Sequence, residues 1–420
     1  MRRAFAKHAL LLFVALRAGD LVSLAAGLWF VPKFVSPAEI GAVLPVTSFA
    51  TFLSLPLFAL AMSAMKESAF LSAAGERGKV KSLLVGVFIS VAVAAALGLT
   101  VAFFAVTRFL AAMGVGGRAA GVLAVAAALL GCAAPVYTDA LQALKRFRAL
   151  GAIEASGAVV RFLVMLVAMP VKALAGYFAG AAALPAFRML ASIFALRRDL
   201  AVRAEPYWTR PVLRRLALMF CAIFAYQAFP MFAALVEQSI LRTRLSAVDS
   251  AGYYMASRFS DFLFYITTPL LLVSFPYAAH AAQKGGDTHS IARRCCAVTL
   301  VAGALMAAAY HLFGERLMSL MPTGSNYLEY ARHMPLLVAT TALTSCQVFC
   351  TNIEVSAGRF GFLWWLVPLH LAYPVALWLF PPSGLQTFLF WFAAVAFLRF
   401  VFSIPMLKTV TPCAVPPDLL

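Results

Sequence analysis

Charge is what this chain has least of. Only 12% of its 420 residues are Asp, Glu, Lys or Arg, about half the share of an ordinary water-soluble domain. Acids are scarcest, 16 against 34 basic residues. The polar stretches between apolar runs are short. The longest, near 197–214 and 314–334, cannot fold alone, so no soluble domain is expected. The seven cysteines include no CxxC pair. Cys346 and Cys350 share a helix face inside an apolar run, where a thiol reads as a small packing group. The six histidines show no HExxH or similar spacing. Neither disulfides, nor a metal site, nor a cofactor is expected.

What is present is apolar length. Hydrophobic residues make up 63% of the chain and the mean hydropathy is +0.91. Runs long enough to cross a bilayer recur from end to end, which defines an all-α, polytopic membrane protein. Twelve spans are read at about 9–32, 39–63, 83–107, 119–143, 152–171, 173–196, 215–238, 250–278, 291–313, 335–357, 361–381 and 386–408. The fifth and sixth run together around Pro170–Lys172. The first follows Arg2, Arg3 and Lys7 as a secretory signal would. It contains Arg17 and Asp20 and lacks a small-residue cleavage site, so it is read as an uncleaved helix.

Lys and Arg set the orientation. With the N-terminus in the cytoplasm, the inner segments collect clusters such as Arg77, Lys79 and Lys81, Lys145, Arg146 and Arg148, and the run from Arg197 to Arg215. The outer segments hold only Lys33, Arg108, Arg118, Lys172, Arg242, Arg244, Arg316 and Arg332. Both termini are therefore expected inside. The formal charge of +18 is a topology signal, helped by anionic lipid headgroups, and no nucleic-acid partner is expected.

The chain also echoes itself at half its length. Ser36-Pro37-Ala38-Glu39-Ile40-Gly41 recurs loosely as Ser246-Ala247-Val248-Asp249-Ser250-Ala251-Gly252, and Gly75-Glu76 as Gly286-Asp287. The Ser and acid of each first motif read as N-cap and first-turn acid of the second and eighth helices. Corresponding elements lie six spans apart, so the halves share one orientation, as parallel repeats do. The expected domains are 1–205 and 206–420, two six-helix bundles around a central cavity.

Charges within spans carry the functional signal, because each mid-span Arg or Asp costs about 2.5–3.5 kcal/mol to insert. They are Arg17 and Asp20, Arg161, Arg188, Arg258 and Asp261, and Arg399, with Asp139, Glu154 and Glu354 nearer the cytoplasmic ends. Arg17/Asp20 and Arg258/Asp261 have i,i+3 spacing and share a helix face. Each pair has two readings: mutual neutralisation that lets the helix insert, or a site where Asp20 or Asp261 exchanges a proton or sodium ion with Arg pairing. Arg161 and Arg188 have no acid one turn away at mid-depth. The planar guanidinium fork suits phosphate, so both are candidate substrate contacts, alongside acids on other helices as an alternative. Tyr226, Gln227 and Arg399 are candidate cavity-lining residues, Gln227 being the repeat counterpart of Arg17. Prolines within spans, Pro56 and Pro269 among them, are candidate bending points.

In this plan the chain resembles the multidrug/oligosaccharidyl-lipid/polysaccharide (MOP) exporter superfamily, and within it the Wzx-type polysaccharide and O-antigen flippases. The carriers are the two six-helix halves, Pro37-Ala38-Glu39-Ile40-Gly41 opening the second helix, and Asp249-Ser250-Ala251-Gly252-Tyr253-Tyr254-Met255-Ala256-Ser257-Arg258 opening the eighth. Phe275-Pro276 and Gly286-Asp287 fit the exit of the eighth helix. The resemblance implies a bacterial cytoplasmic-membrane transporter, not an enzyme. It would flip a polyprenyl-pyrophosphate-linked oligosaccharide to the outer leaflet by alternating access, with Arg17, Arg161, Arg188 and Arg258 as basic cavity residues and H+ or Na+ as a coupling ion. The alternative is an ion-coupled small-molecule or drug exporter, MATE-like or major-facilitator-like. A cation exporter would favour an acid-rich cavity. Gly75-Glu76-Arg77-Gly78-Lys79 matches the major-facilitator loop with one residue missing. A membrane-embedded glycan-processing enzyme is a further alternative, but the 314–334 segment offers only Glu315, Arg316, Glu329, Arg332 and His333, without an acid–base constellation.

Overall fold

The computed structural model describes residues 14, 17–19, 21–22, 24–73, 75–112, 118–143, 146–198, 201–283, 287–321, 324–356 and 359–407. Among them there is no strand. A π-turn at Ala26–Phe30 continues into α1 (Val31–Phe34). There follow α2 (Pro37–Ala73), α3 (Arg77–Ala112), α4 (Arg118–Ala143), α5 (Phe147–Ala168), α6 (Ala173–Leu196), α7 (Arg210–Arg244) and α8 (Ala247–Gln283). Then come α9 (His289–Ser319), a 3-10 segment (Gly324–His333), α10 (Met334–Ser356), α11 (Leu363–Leu379) and α12 (Leu385–Ser403). Each expected span from the second to the twelfth has its helix. Nine described helices are long and apolar enough to cross a membrane. The other three differ for plain reasons. Most of the first span and several side chains in the second half of α8 lie outside the described residues, and α11 is a short apolar helix of 17 residues.

The helix starts follow from sequence. Ser36 and Glu39 form a reciprocal capping box: the Ser36 hydroxyl donates to Glu39 Oε2 at 2.8 Å, the Ser36 N–H to the same oxygen at 3.1 Å, and the Glu39 N–H to Ser36 Oγ at 3.4 Å. Ser246 and Asp249 repeat the pattern at α8, with Oγ to Oδ2 at 2.7 Å and the Asp249 N–H to Oγ at 2.9 Å. Each cap is worth about 0.5–2 kcal/mol. The second copy of the glycine–acid echo, Gly286, lies outside the described residues. Asp287 caps the start of α9, accepting from the N–H groups of His289 and Ser290. The fifth and sixth spans are separate: α5 ends at Ala168 and a tight turn through Lys172 opens α6. Pro45, Pro56, Pro135, Pro185, Pro230, Pro368 and Pro374 all sit inside unbroken helices.

The helices gather into two units, Met1–Ala251 and Gly252–Leu420. In the first unit α4 packs on α2 and α6, α5 on α6, α3 on α2 and α4, and α7 on α2. The two capped helix starts meet there. A Cβ placed on Gly41 would stand 2.8 Å from Ser250 Cβ and 3.2 Å from the Ala247 carbonyl. In the second unit α9 packs on α10, α10 on α12, and α11 on α12. The Tyr310 hydroxyl of α9 donates to the Phe259 carbonyl of α8 at 3.0 Å. Cys295, Cys296, Cys346 and Cys350 join Phe349 in a buried cluster, the packing role expected of Cys346 and Cys350.

Candidate substrate-contact site

The arginine-bearing helices of the first unit are close-packed by small residues. On α5 and α6, Gly157, Gly176 and Gly180 remove the side chains that would hold the helices apart. A Cβ on Gly180 would overlap Met165 and reach the Arg161 carbonyl at 3.0 Å, and one on Gly157 would stand 2.9 Å from Leu184 and 3.6 Å from Arg188 Cγ. The helix bearing Arg17 approaches the same pair, with Gly19 against Ala158 and the Glu154 carbonyl. Small-residue interfaces of this kind let membrane helices gain dispersion contact without a hydrophobic driving force.

That packing decides which charges find partners. Arg188 reaches across to Glu154 of α5 and forms an ion pair at 2.5 Å, with the Glu154 side chain 12% exposed. The partner missing one turn away on α6 is therefore supplied by the neighbouring helix. Arg161 is different. Among the described residues it meets no carboxylate; its guanidinium lies over the Tyr177 ring of α6 at 5.9 Å, and its Nε is buried without a hydrogen-bond partner. A cation–π contact holds such a group in place without neutralising its charge. Arg17 is half-buried and Asp20 lies outside the described residues. On α7, Tyr226 is buried and Gln227 half-buried.

In the second unit the i,i+3 pair is in contact. Arg258 Nη1 stands 3.0 Å from Asp261 Oδ2, and the guanidinium also covers the Tyr254 ring at 4.7 Å. Arg399 of α12 lies over the Tyr373 ring of α11 at 5.6 Å. Near the end of α10, Glu354 pairs with Arg359 at 2.9 Å. Sequence reading passed over Tyr177, whose signal was its place on the glycine-lined face opposite Arg161. It also passed over His370, 3% exposed on α11 with neither ring nitrogen hydrogen-bonded among the described residues. On α7 it passed over Glu237, buried at 6% and accepting from Gln238 at 3.2 Å. Among the described residues no group of three or more His, Cys, Asp or Glu could hold a metal ion.

Chemically, the α5–α6 pair carries a guanidinium matched by a carboxylate, Arg188, and one that among the described residues meets none, Arg161. Each could meet an anionic group in its own way: Arg161 directly, Arg188 by exchange of Glu154 for the incoming oxygen.

No known family pattern and no curated protein matches the chain. Its fold does match solved structures. A multidrug resistance MATE family transporter of the MOP superfamily in its inward-facing conformation aligns at a TM-score of 0.65 and 14% identity, covering 96% of this chain and 98% of that one. An outward-facing structure of the same description aligns at 0.66 and 12%, covering 96% of each. The Vibrio cholerae MATE transporter VcmN in its bent form aligns at 0.64 and 13%, covering 97% and 98%. The chain has the MATE fold along nearly its whole length.

Proposed function

We propose that this chain is an alternating-access exporter of the MATE type whose cargo carries an anionic group. The transporter reading is supported by whole-length likeness to one fold captured facing both inward and outward, the two states that alternating access requires. The neighbours' description as multidrug transporters, carried to this chain, makes the cargo a small amphiphile. The charge of that cargo follows from one observation: Arg161 stands in a membrane helix without a carboxylate partner among the described residues. A guanidinium kept charged at that cost repels organic cations and favours an anion.

The same observation favours a second, finer reading. A polyprenyl-pyrophosphate-linked oligosaccharide cannot take its phosphates through hydrocarbon unaided. Arginines offer those oxygens charge-assisted hydrogen bonds while the polyprenyl tail stays in lipid. Arg17, Arg161, Arg188 and Arg258 are then the phosphate contacts. Tyr226, Gln227 and Arg399 line the path, and Asp20 and Asp261 serve as coupling sites for H+ or Na+. The repeat supports a division into two six-helix bundles, 1–205 and 206–420. On this reading the membrane is a bacterial cytoplasmic one, and the Lys/Arg distribution supports both termini lying inside.

Reconstitution into proteoliposomes tests both readings. The cargoes are a labelled polyprenyl-diphosphate glycan, a small organic anion and a small organic cation dye. Movement of an anionic cargo is expected, falling roughly ten- to hundredfold in Arg161→Met, the loss of one charge-assisted contact of about 1.5–3 kcal/mol. Arg161→Lys should keep part of the rate. Export of the cation dye alone, unchanged in Arg161→Met, refutes the anionic cargo. Movement of the small anion but not the lipid-linked glycan rejects the finer reading.

A further inference from the structure

The segment joining α6 to α7 is not a slack linker. Its described part, residues 201–209, runs without helix across the ends of α2 and α3, the ends that the Lys/Arg distribution assigns to the cytoplasm. Four hydrogen bonds fasten it to α3. Lys81 Nζ donates to the Val202 carbonyl at 2.8 Å and Ser82 Oγ to the Glu205 carbonyl at 2.5 Å. The Glu205 N–H donates to the Gly78 carbonyl at 3.2 Å and Trp208 Nε1 to the Ser82 carbonyl at 3.3 Å.

Two glycines of α3 form its seats. A Cβ on Gly78 would come within 2.5 Å of the Glu205 carboxyl, and one on Gly86 would overlap the Trp208 indole. Glycine inside a helix costs about 1 kcal/mol relative to alanine, and at both positions the missing side chain is what admits the segment.

The clasp is Glu67, near the end of α2 and 4% exposed. Its Oε1 accepts the Tyr207 hydroxyl from the segment and an Arg215 N–H from α7. Arg215 Nη2 also lies 3.4 Å from the Tyr207 hydroxyl. Burial and the adjoining Glu67 charge push the Tyr207 phenol above its usual range, so it stays a donor. One carboxylate oxygen thus ties α2, the connecting segment and α7 together.

We propose that residues 201–209 are a strap, clasped by Glu67, that holds α7 against α2 and must open for the transport cycle to proceed. The gating role rests on the transporter reading; the clasp itself does not. Hydrogen exchange on the full-length chain in nanodiscs, which needs no cargo, tests the clasp. In Glu67→Gln and in Gly86→Leu, which touches no charge, exchange at the Glu205 amide is expected to rise at least tenfold, with α4–α6 unchanged. Tyr207→Phe, which leaves Arg215 on Glu67, should give a smaller rise. Unprotected Glu205 in the wild type, unchanged exchange in both main variants, or acceleration spread evenly over the chain would each overturn the clasp. A disulfide between Gly78→Cys and Glu205→Cys tests the gate. Anion movement should stop while it is closed and return on reduction; movement at the uncrosslinked rate overturns the gate and leaves the exporter intact.

Discussion

Replacing Glu154 by Gln changes one charge in the arginine-bearing unit while keeping shape. In the wild type the carboxylate holds Arg188 at 2.5 Å, with side chains 12% and 33% exposed. A hydrogen bond to a charged group is worth about 1.5–3 kcal/mol, and breaking a fully buried pair costs about 3–5 kcal/mol. Because a third of the Arg188 side chain is exposed, screening brings the cost towards and below the bottom of the first range. A stability loss of about 1–2 kcal/mol is expected, read as a shift in denaturant midpoint in mixed micelles. A double-mutant cycle with Arg188→Met should show coupling of the same size. The second consequence has the opposite sign. Glu154 competes with any anion for Arg188, so Glu154→Gln should bind an anionic cargo up to about tenfold more tightly, about 1.4 kcal/mol. Fluorescence titration of a labelled diphosphate amphiphile reads this directly. Weaker anion binding in Glu154→Gln, or unchanged binding despite the stability loss, would refute the claim that Arg188 is a held-back anion contact.

Two further outcomes follow from the packing and the pairing. Gly180→Leu drives a side chain into Met165 and the Arg161 backbone. It should lower the yield of folded protein and destabilise it by about 1–3 kcal/mol, measured by fluorescence-detected size exclusion after graded heating, whereas Gly131→Leu, with nothing within 4 Å, should be tolerated. Asp261→Asn leaves Arg258 without the carboxylate now 3.0 Å away. Export should lose its dependence on an imposed proton or sodium gradient while downhill anion movement persists; gradient-driven export at the wild-type rate removes Asp261 from coupling.

What the sequence made legible is what lipid and local geometry dictate. A bilayer demands twenty or so apolar residues per crossing, so α2 to α7 and α9, α10 and α12 could be placed from composition alone. Capping boxes and i,i+3 pairs lie within one turn, so Ser36/Glu39, Ser246/Asp249 and Arg258/Asp261 were readable. Partners on neighbouring helices were not. Whether Arg188 meets Glu154, or Arg161 meets Tyr177, depends on how α5 and α6 rotate against each other, which their glycines settle. The Glu67 clasp joins residues from three separate segments, and no periodicity points to it.

The near-contact at Gly41 has a consequence for how much room the protein keeps between the openings of two repeated helices. Hydrogen is the largest substituent that fits there beside Ser250. Growing the side chain methyl by methyl should therefore act as a wedge of calibrated thickness, prising two N-capped helix starts apart in steps of about an ångström. Any process that depends on their closeness would register as a graded response to residue size.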